Sequence, residues 1–263
     1  MAEAARRGGG RRARARAAAL ALTLSAAAGA AAADGFCDAP DLACFEISGT
    51  GGAAGVSCRA TAREGGREDS RLAVRVDAIA YGFEHCGREL WVDGRLAFFR
   101  SSTDESGMGR IATAFGDEEV ELRAEGGGLR RVGARGAAAT LPADAAPDSH
   151  WRRAGVGRGP LFDMLTGAPT PAEVTGPVAD EIALATGARA RAERFALQAE
   201  SWRAEAWYVA GALARLEVDR SGRAVSVRAE TADARARLCA ELTRRVSCAG
   251  VWAAEAPSPA APR

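Results

Sequence analysis

From residue 44 onward the chain is dominated by short segments in which apolar and polar positions alternate. Leu72, Val74 and Val76 interleave with Arg71, Arg75 and Asp77, the mark of a half-buried strand. Before it, residues 44–49 read as a first strand and 49–55 as a glycine-rich turn. Val56, Cys58, Ala60 and Ala62 then share one face of a second strand. Residues 63–70 read as a charged loop. Ile79 breaks the parity of the third strand, which predicts a bulge or bend at residues 78–80. Tyr81, Phe83 and His85 fall on one face of the next strand, with Glu84 and Cys86 on the other. Asp93-Gly94 is the clearest two-residue hairpin signal, leading to a strand at 96–100 and a turn at 103–107.

Further strands are expected at 108–115, 119–124 and 129–132. Residues 134–160, with Pro142, Pro147 and Pro160, form the longest irregular stretch, a lid, a crossover or an insertion loop. A helical turn is expected within 143–153, capped by Asp148 or Ser149. Strands resume at 161–165, 173–174, 181–185, 190–198, 201–209, 212–219 and 224–230. About a dozen short strands at such spacing predict a mainly β fold: one large antiparallel curved sheet, half-barrel or barrel-like. Strands alternating with amphipathic helices are missing, which disfavours a Rossmann-like fold. Leu238, Leu242 and Val246 recur at helical spacing, so residues 231–249 are read as a short helical, cysteine-bearing extension of the β domain at 34–230. Residues 250–263 read as a disordered tail.

Composition changes this picture at the N-terminus. Six arginines between Arg6 and Arg16 precede an uncharged, alanine-rich run at 17–33, with Ala31 and Ala33 as a small-x-small cleavage site. That is the layout of a signal peptide at 1–33, cleaved near Ala33, and it predicts a periplasmic or secreted protein with no stable transmembrane anchor. The whole chain carries 35 basic and 34 acidic residues. Without residues 1–33 it keeps 29 against 33, a net charge of about −4, so nucleic acid is not an expected partner. The chain contains no lysine and no asparagine, and arginine-rich genomic coding explains this better than a special use of arginine.

Six cysteines, Cys37, Cys44, Cys58, Cys86, Cys239 and Cys248, all lie beyond the signal segment, and an even number in an exported chain points to disulfides. Cys44 and Cys58 flank the first turn almost symmetrically and are expected to pair across it. Cys239 and Cys248 can close a local loop, or either can reach Cys37. No C-x-x-C is present and neither histidine sits at ligand spacing, so no metal and no cofactor is expected.

Several segments together resemble a known family. They are Y-x-F-E-H-x-x-x-E-x-W-x-x-G-x-L at 81–96, S-x-T-D-x-x-G at 101–107, P-D-S-H-W at 147–151, L-x-D-x-x-T-G at 161–167 and W-Y-x-x-G-x-L at 207–213. In this order they resemble the bacterial exported family named domain of unknown function 6134, over about residues 44–230. The chain departs from the pattern at His150, where a tyrosine is usual, and at Ala54 in the first hairpin. The resemblance implies an exported β-rich protein with no established activity, so no site residue is carried over from it.

The residues themselves offer three functional readings. Trp91, Trp151, Trp207 and Tyr208 are candidates to line a concave pocket for a lipid or another apolar or amphipathic ligand, in a non-enzymatic envelope protein. Ordinary core packing is the commoner fate of such aromatics. His85 with Glu89 or Asp104 offers an acid–base pair for a hydrolase-like enzyme. A register-fixing polar cluster explains His85 and Glu89 more cheaply, and an Asx turn explains Asp104. The third reading is a structural or interaction protein without a small ligand. Neither a G-x-S-x-G elbow nor H-E-x-x-H nor a P-loop is present, and an enzyme is the less favoured class.

Overall fold

The computed structural model describes residues 35–79, 81–107, 118–132, 140–157, 159–220 and 222–254. The leader at 1–33 and the strand expected at 108–115 lie outside these residues.

The first half of the chain is a meander of β1 (Ala43–Gly49), β2 (Ala54–Glu64), β3 (Arg67–Ala78), β4 (Tyr81–Val92), β5 (Arg95–Gly107), β6 (Glu118–Glu125), β7 (Gly128–Val132) and β8 (Thr140–Pro142). The chain then makes a small three-stranded sheet from β9 (Ala146–Pro147), β10 (Leu161–Phe162) and β11 (Pro169–Thr170). A second meander follows: β12 (Ala172–Ala183), β13 (Arg189–Ala199), β14 (Arg203–Val209), β15 (Ala212–Asp219) and β16 (Arg223–Arg228). Antiparallel pairing of β16 with β1 fuses the two meanders into one 13-stranded sheet with free edges at β8 and β12. The expectation of a single large antiparallel sheet with a short C-terminal helix is met, and the sheet is open.

Alternation assigns the faces. On the concave side, Phe45, Phe99, Val120, Leu122, Leu129, Phe195, Leu197 and Tyr208 form the main core. Residues 140–170 do not cover an open mouth; they enter the concave face, where Leu141, Ala145, Ala146, Leu161 and Phe162 complete that core. Beside Trp91 and Leu161 one cavity is only about 20 Å³, room for about one water, and a second beside Trp91 and Leu96 is about 170 Å³.

The convex side of β1–β4 carries a second core. Cys44, Cys58, Ala60, Ala73 and Cys86 meet Leu238, Leu242, Val251 and Trp252 from α1 (Ala232–Thr243) and α2 (Ala249–Trp252). The Thr231 hydroxyl accepts from the Ala234 amide and caps α1. Trp252 stacks on Phe36 at 4.4 Å and donates to the Gly87 carbonyl at 3.2 Å. Arg88 binds Asp69 and the Trp252 carbonyl. Residues 249–252, expected at the edge of a disordered tail, are therefore helical and packed, because Val251 and Trp252 bury apolar area against the sheet.

Three disulfides join Cys37 to Cys239, Cys44 to Cys58 and Cys86 to Cys248. The hairpin pair is as expected. A local Cys239–Cys248 loop does not form, since α1 and α2 each reach back to a different part of the N-terminal half. Sulfurs of Cys44, Cys58 and Cys239 lie within 4.8 Å of one another, but each is already bonded in a disulfide. Among the described residues, no helix is long and apolar enough to cross a membrane.

Four local expectations are corrected. The charged loop at 63–70 is a tight Gly65-Gly66 turn, with both residues at positive φ, so β3 begins at Arg67. In place of a bulge or bend near residue 79, β3 ends at Ala78, which pairs antiparallel with Tyr81 at the start of β4, and Ile79 is exposed. The turn expected at 103–107 is strand, because Thr103 to Gly107 pair with His85 to Tyr81. No helical turn capped by Asp148 or Ser149 forms within 143–153; a 3-10 turn at Arg153–Gly155 stands there without a side-chain cap.

Replacing Cys86 and Cys248 together by serine should lower stability by about 2–5 kcal/mol. Thermal unfolding followed by circular dichroism reads this directly, and an unchanged midpoint would show that α2 holds to the sheet without its covalent tie.

Candidate functional site

The inner face of β2–β5 carries polar side chains in the middle of an otherwise apolar surface. Arg59 (β2), Ser70 (β3), His85 and Glu89 (β4), and Ser101 and Thr103 (β5) are all buried. Strand register brings them together: Thr61 faces Ser70, Ser70 faces Glu89, and His85 faces Thr103. Glu89 is the hub. Its carboxylate accepts from Arg59 at 3.2 Å, the Trp91 indole at 2.9 Å, Ser149 at 3.1 Å and the Trp151 indole at 2.8 Å. Arg59 also donates to Ser70 at 2.8 Å. Burial pulls the Arg59 guanidinium below its ordinary range, and the Glu89 charge opposes that pull.

Stacking extends the network. The Arg59 guanidinium lies 4.4 Å over the Trp151 ring, and that of Arg152 lies 4.2 Å over Trp91. Arg152 is held at 2.9 Å by Glu68. Each such cation–π contact is worth ~0.5–2 kcal/mol, more when water is excluded. Residues 149–152 are thus clamped to the sheet by one buried carboxylate and two stacked arginines.

A second polar group lies along the same face. Asp163 accepts from the Leu165 and Thr166 amides and from Arg220, and Asp148 accepts from the Met164 amide. Ser101 donates to the Met164 carbonyl. The segments at 81–96, 101–107, 147–151 and 161–167 therefore meet in one layer between the sheet and its filling. Tyr208 joins them by donating to the His150 carbonyl.

The acid–base pairs expected of His85 are not assembled. His85 bonds the Thr103 hydroxyl at 2.9 Å through Nδ1, and its Nε2 has no protein partner among the described residues. Glu89 is saturated by its four donors. Asp104 is exposed, on the strand face opposite to His85 and across from Glu84. The aromatic set also divides. Trp91, Trp151 and Tyr208 lie on the concave side. Trp207 is on the convex side, bonded to Asp180 at 2.9 Å in a small cluster with Ile182, Ala192 and Ala214.

One sizeable opening remains on the concave side, an open cleft of about 670 Å³ over β1, β2 and the β14–β15 turn. Phe45, Leu42, Leu213 and Trp151 give it apolar walls, and Arg59, Arg63, Arg152, Arg153, Arg228 and Arg235 also line it. None of these arginines was singled out in the sequence. On its strand Arg59 alternates with the apolar Cys58 and Ala60, so it reads as solvent-facing until a second face is known to be buried. Arg228 is placed beside Phe45 at this cleft by the β1–β16 pairing, and Arg235 follows on the next element.

A model of the family described as domain of unknown function (DUF6134) matches residues 55–230, more than half of the chain. The chain belongs to that family. A crystal structure of a β-barrel-like protein of domain of unknown function DUF1849 from Brucella abortus is similar at a TM-score of 0.47 and 11% identity, covering 72% of this chain and 95% of that one. No curated protein matches.

Two predictions follow from the buried network. Glu89→Gln leaves Arg59 buried without a counter-charge and should destabilise the fold by about 3–5 kcal/mol. The paired change Arg59→Met with Glu89→Leu should recover much of that loss in chemical denaturation. The second concerns pH. Burial lowers both His85 and His150 to about 4. The folded chain then binds fewer protons than the unfolded chain between about pH 4 and 6.5, so their contribution is present above the unfolded value and is lost as pH falls through that window. Asp148, raised to about 7 by burial and by Asp163, acts in the opposite sense. His85→Gln retains a partner for Thr103 and should flatten the rise of stability with pH across this window; an unchanged slope would refute the assignment.

Proposed function

We propose that this protein is an exported, non-enzymatic binding protein that holds an amphipathic ligand in the cleft over β1 and β2. The observation that carries this reading is the cleft itself. It is the part of the concave face that residues 140–170 leave open, and it joins an apolar wall to an arginine-rich rim. A volume of about 670 Å³ falls in the ordinary range for small-molecule sites, roughly 300–1,000 Å³. The deeper concave face offers no such room, so the ligand sits at its mouth and extends toward solvent.

Three further features support the reading. The floor is rigid: Arg59 and Trp151 are fixed by Glu89, so the site is preorganised rather than formed on binding. Glu89, Arg59 and Ser149 beneath it are engaged in holding that floor, and His85 with the Thr103 hydroxyl is buried away from the cleft lining. The three disulfides and the sequence of residues 1–33 suit an oxidising, exported setting.

The test is native mass spectrometry of protein recovered from cells in mild conditions. A bound adduct released by organic solvent is expected. Ala154 is exposed and lines the cleft, so Ala154→Trp should fill it and remove the adduct without lowering the melting temperature. Adduct-free wild-type protein, or an adduct that survives in Ala154→Trp, would overturn the proposal.

A further inference from the structure

Charge around the cleft is not balanced by the protein. Four of its six arginines have carboxylates: Arg59 has Glu89, Arg63 has Asp41 and Glu68, Arg152 has Glu68, and Arg153 has Glu193. The remaining two, Arg228 and Arg235, have no carboxylate within salt-bridge distance among the described residues. Arg235 donates to the Glu230 carbonyl, a neutral acceptor. Both side chains are half-buried, and they line the cleft from different elements, the end of β16 and the first turns of α1.

Two guanidiniums that line one cleft and are partly withdrawn from water oppose each other. Burial and the neighbouring Arg235 charge both push the Arg228 guanidinium below its ordinary range, with Glu230 only partly offsetting them. Elsewhere many arginines are paired, as Arg75 with Asp77 and Arg194 with Glu205 show, and Arg71 and Arg131 are half-buried without a carboxylate among the described residues; what sets Arg228 and Arg235 apart is that both line one cleft. With about four more acids than bases beyond residue 33, the protein does not lack carboxylates for the purpose. A cationic pair left beside an apolar wall, in a mildly acidic chain, is the arrangement that an oxyanion bound between the two forks would complete.

We infer that Arg228 and Arg235 form the head-group site of the cleft and select an amphiphile whose head is an oxyanion, phosphate or carboxylate, with its tail along Phe45, Leu42 and Leu213. This rests on the binding function proposed above and adds the charge of the ligand to it. The oxyanion can be free or carried on a lipid-like tail, and the experiment separates the two.

Four probes are titrated into the full mature chain below their aggregation limits, with Trp fluorescence and calorimetry as readouts: dodecyl phosphate, dodecyl maltoside, dodecyl trimethylammonium and inorganic phosphate. Dodecyl phosphate should bind about 10- to 100-fold more tightly than the neutral and cationic amphiphiles of equal tail. Its affinity, unlike that of the neutral and cationic amphiphiles, should fall with added salt. The Arg228→Gln and Arg235→Gln changes should each erode that preference, and together remove it, leaving the weaker tail-driven binding intact. Equal affinity for all three heads would overturn the head-group site while leaving the binding cleft standing. Binding of inorganic phosphate as tight as that of dodecyl phosphate would keep the anion site and overturn the tail. Failure of every probe to bind would overturn both. Should either variant fold poorly, the salt dependence and head-group preference of the wild-type chain decide the matter.

Discussion

Glu89 is the constraint around which the concave half of this protein is arranged. A carboxylate taken out of water in the middle of a sheet is tolerated only if its oxygens are satisfied from every side. Here the donors come from β2, from β4 itself and from two residues of the inner segment. That requirement explains why residues 149–152 sit against the sheet rather than over its mouth. It also explains why Arg59 can be buried at all, and why Arg59 and Trp151 at the floor of the cleft share one partner. The apolar core on either side would accept many arrangements of the inner segment. The charge accepts one.

The two faces of the sheet are covered by different means. The concave face is filled by the chain between the two meanders, using large apolar side chains and the polar layer. The convex face of β1–β4 is covered by two short helices that bury comparatively little, and two of the three disulfides tie them down. Small helices with a modest apolar face gain most from such cross-links, because the loops they close are long.

Sequence alternation reveals the sheet well and the site poorly. Strand segments such as 71–77 and 81–86 announce themselves because each has one consistent apolar face. The same rule conceals Arg59, since a polar parity next to an apolar one reads as solvent unless both faces are covered. His85 and Glu89 were visible as a same-face pair, but their partners lie at long range, on Thr103, Arg59 and Trp151. Asp104 resembled a turn residue because T-D-E-S-G is rich in turn formers, and tertiary pairing with β4 overrides that propensity. Trp207 and Tyr208, adjacent in sequence, belong to opposite faces by the same alternation. Arg228 and Arg235 carry no local signal, since only the closure of β16 on β1 puts them in the cleft.

That closure has a consequence for how the molecule is assembled. β1 is among the first strands made, yet one of its two neighbours is the last strand of the sheet. A chain delivered from its N-terminus must hold β1 half-paired until nearly everything else has arrived. The cysteines are under the same timetable: Cys37, Cys44, Cys58 and Cys86 all emerge before Cys239 or Cys248. Cys44 and Cys58 are already opposite each other in the first hairpin, so early oxidation of that pair withdraws two reactive thiols from a crowd of four. Cys37 and Cys86 are then left to wait for partners 202 and 162 residues away. With Cys44 and Cys58 joined in the first hairpin, only Cys37 and Cys86 of those four remain as thiols that could pair wrongly before the C-terminal cysteines arrive.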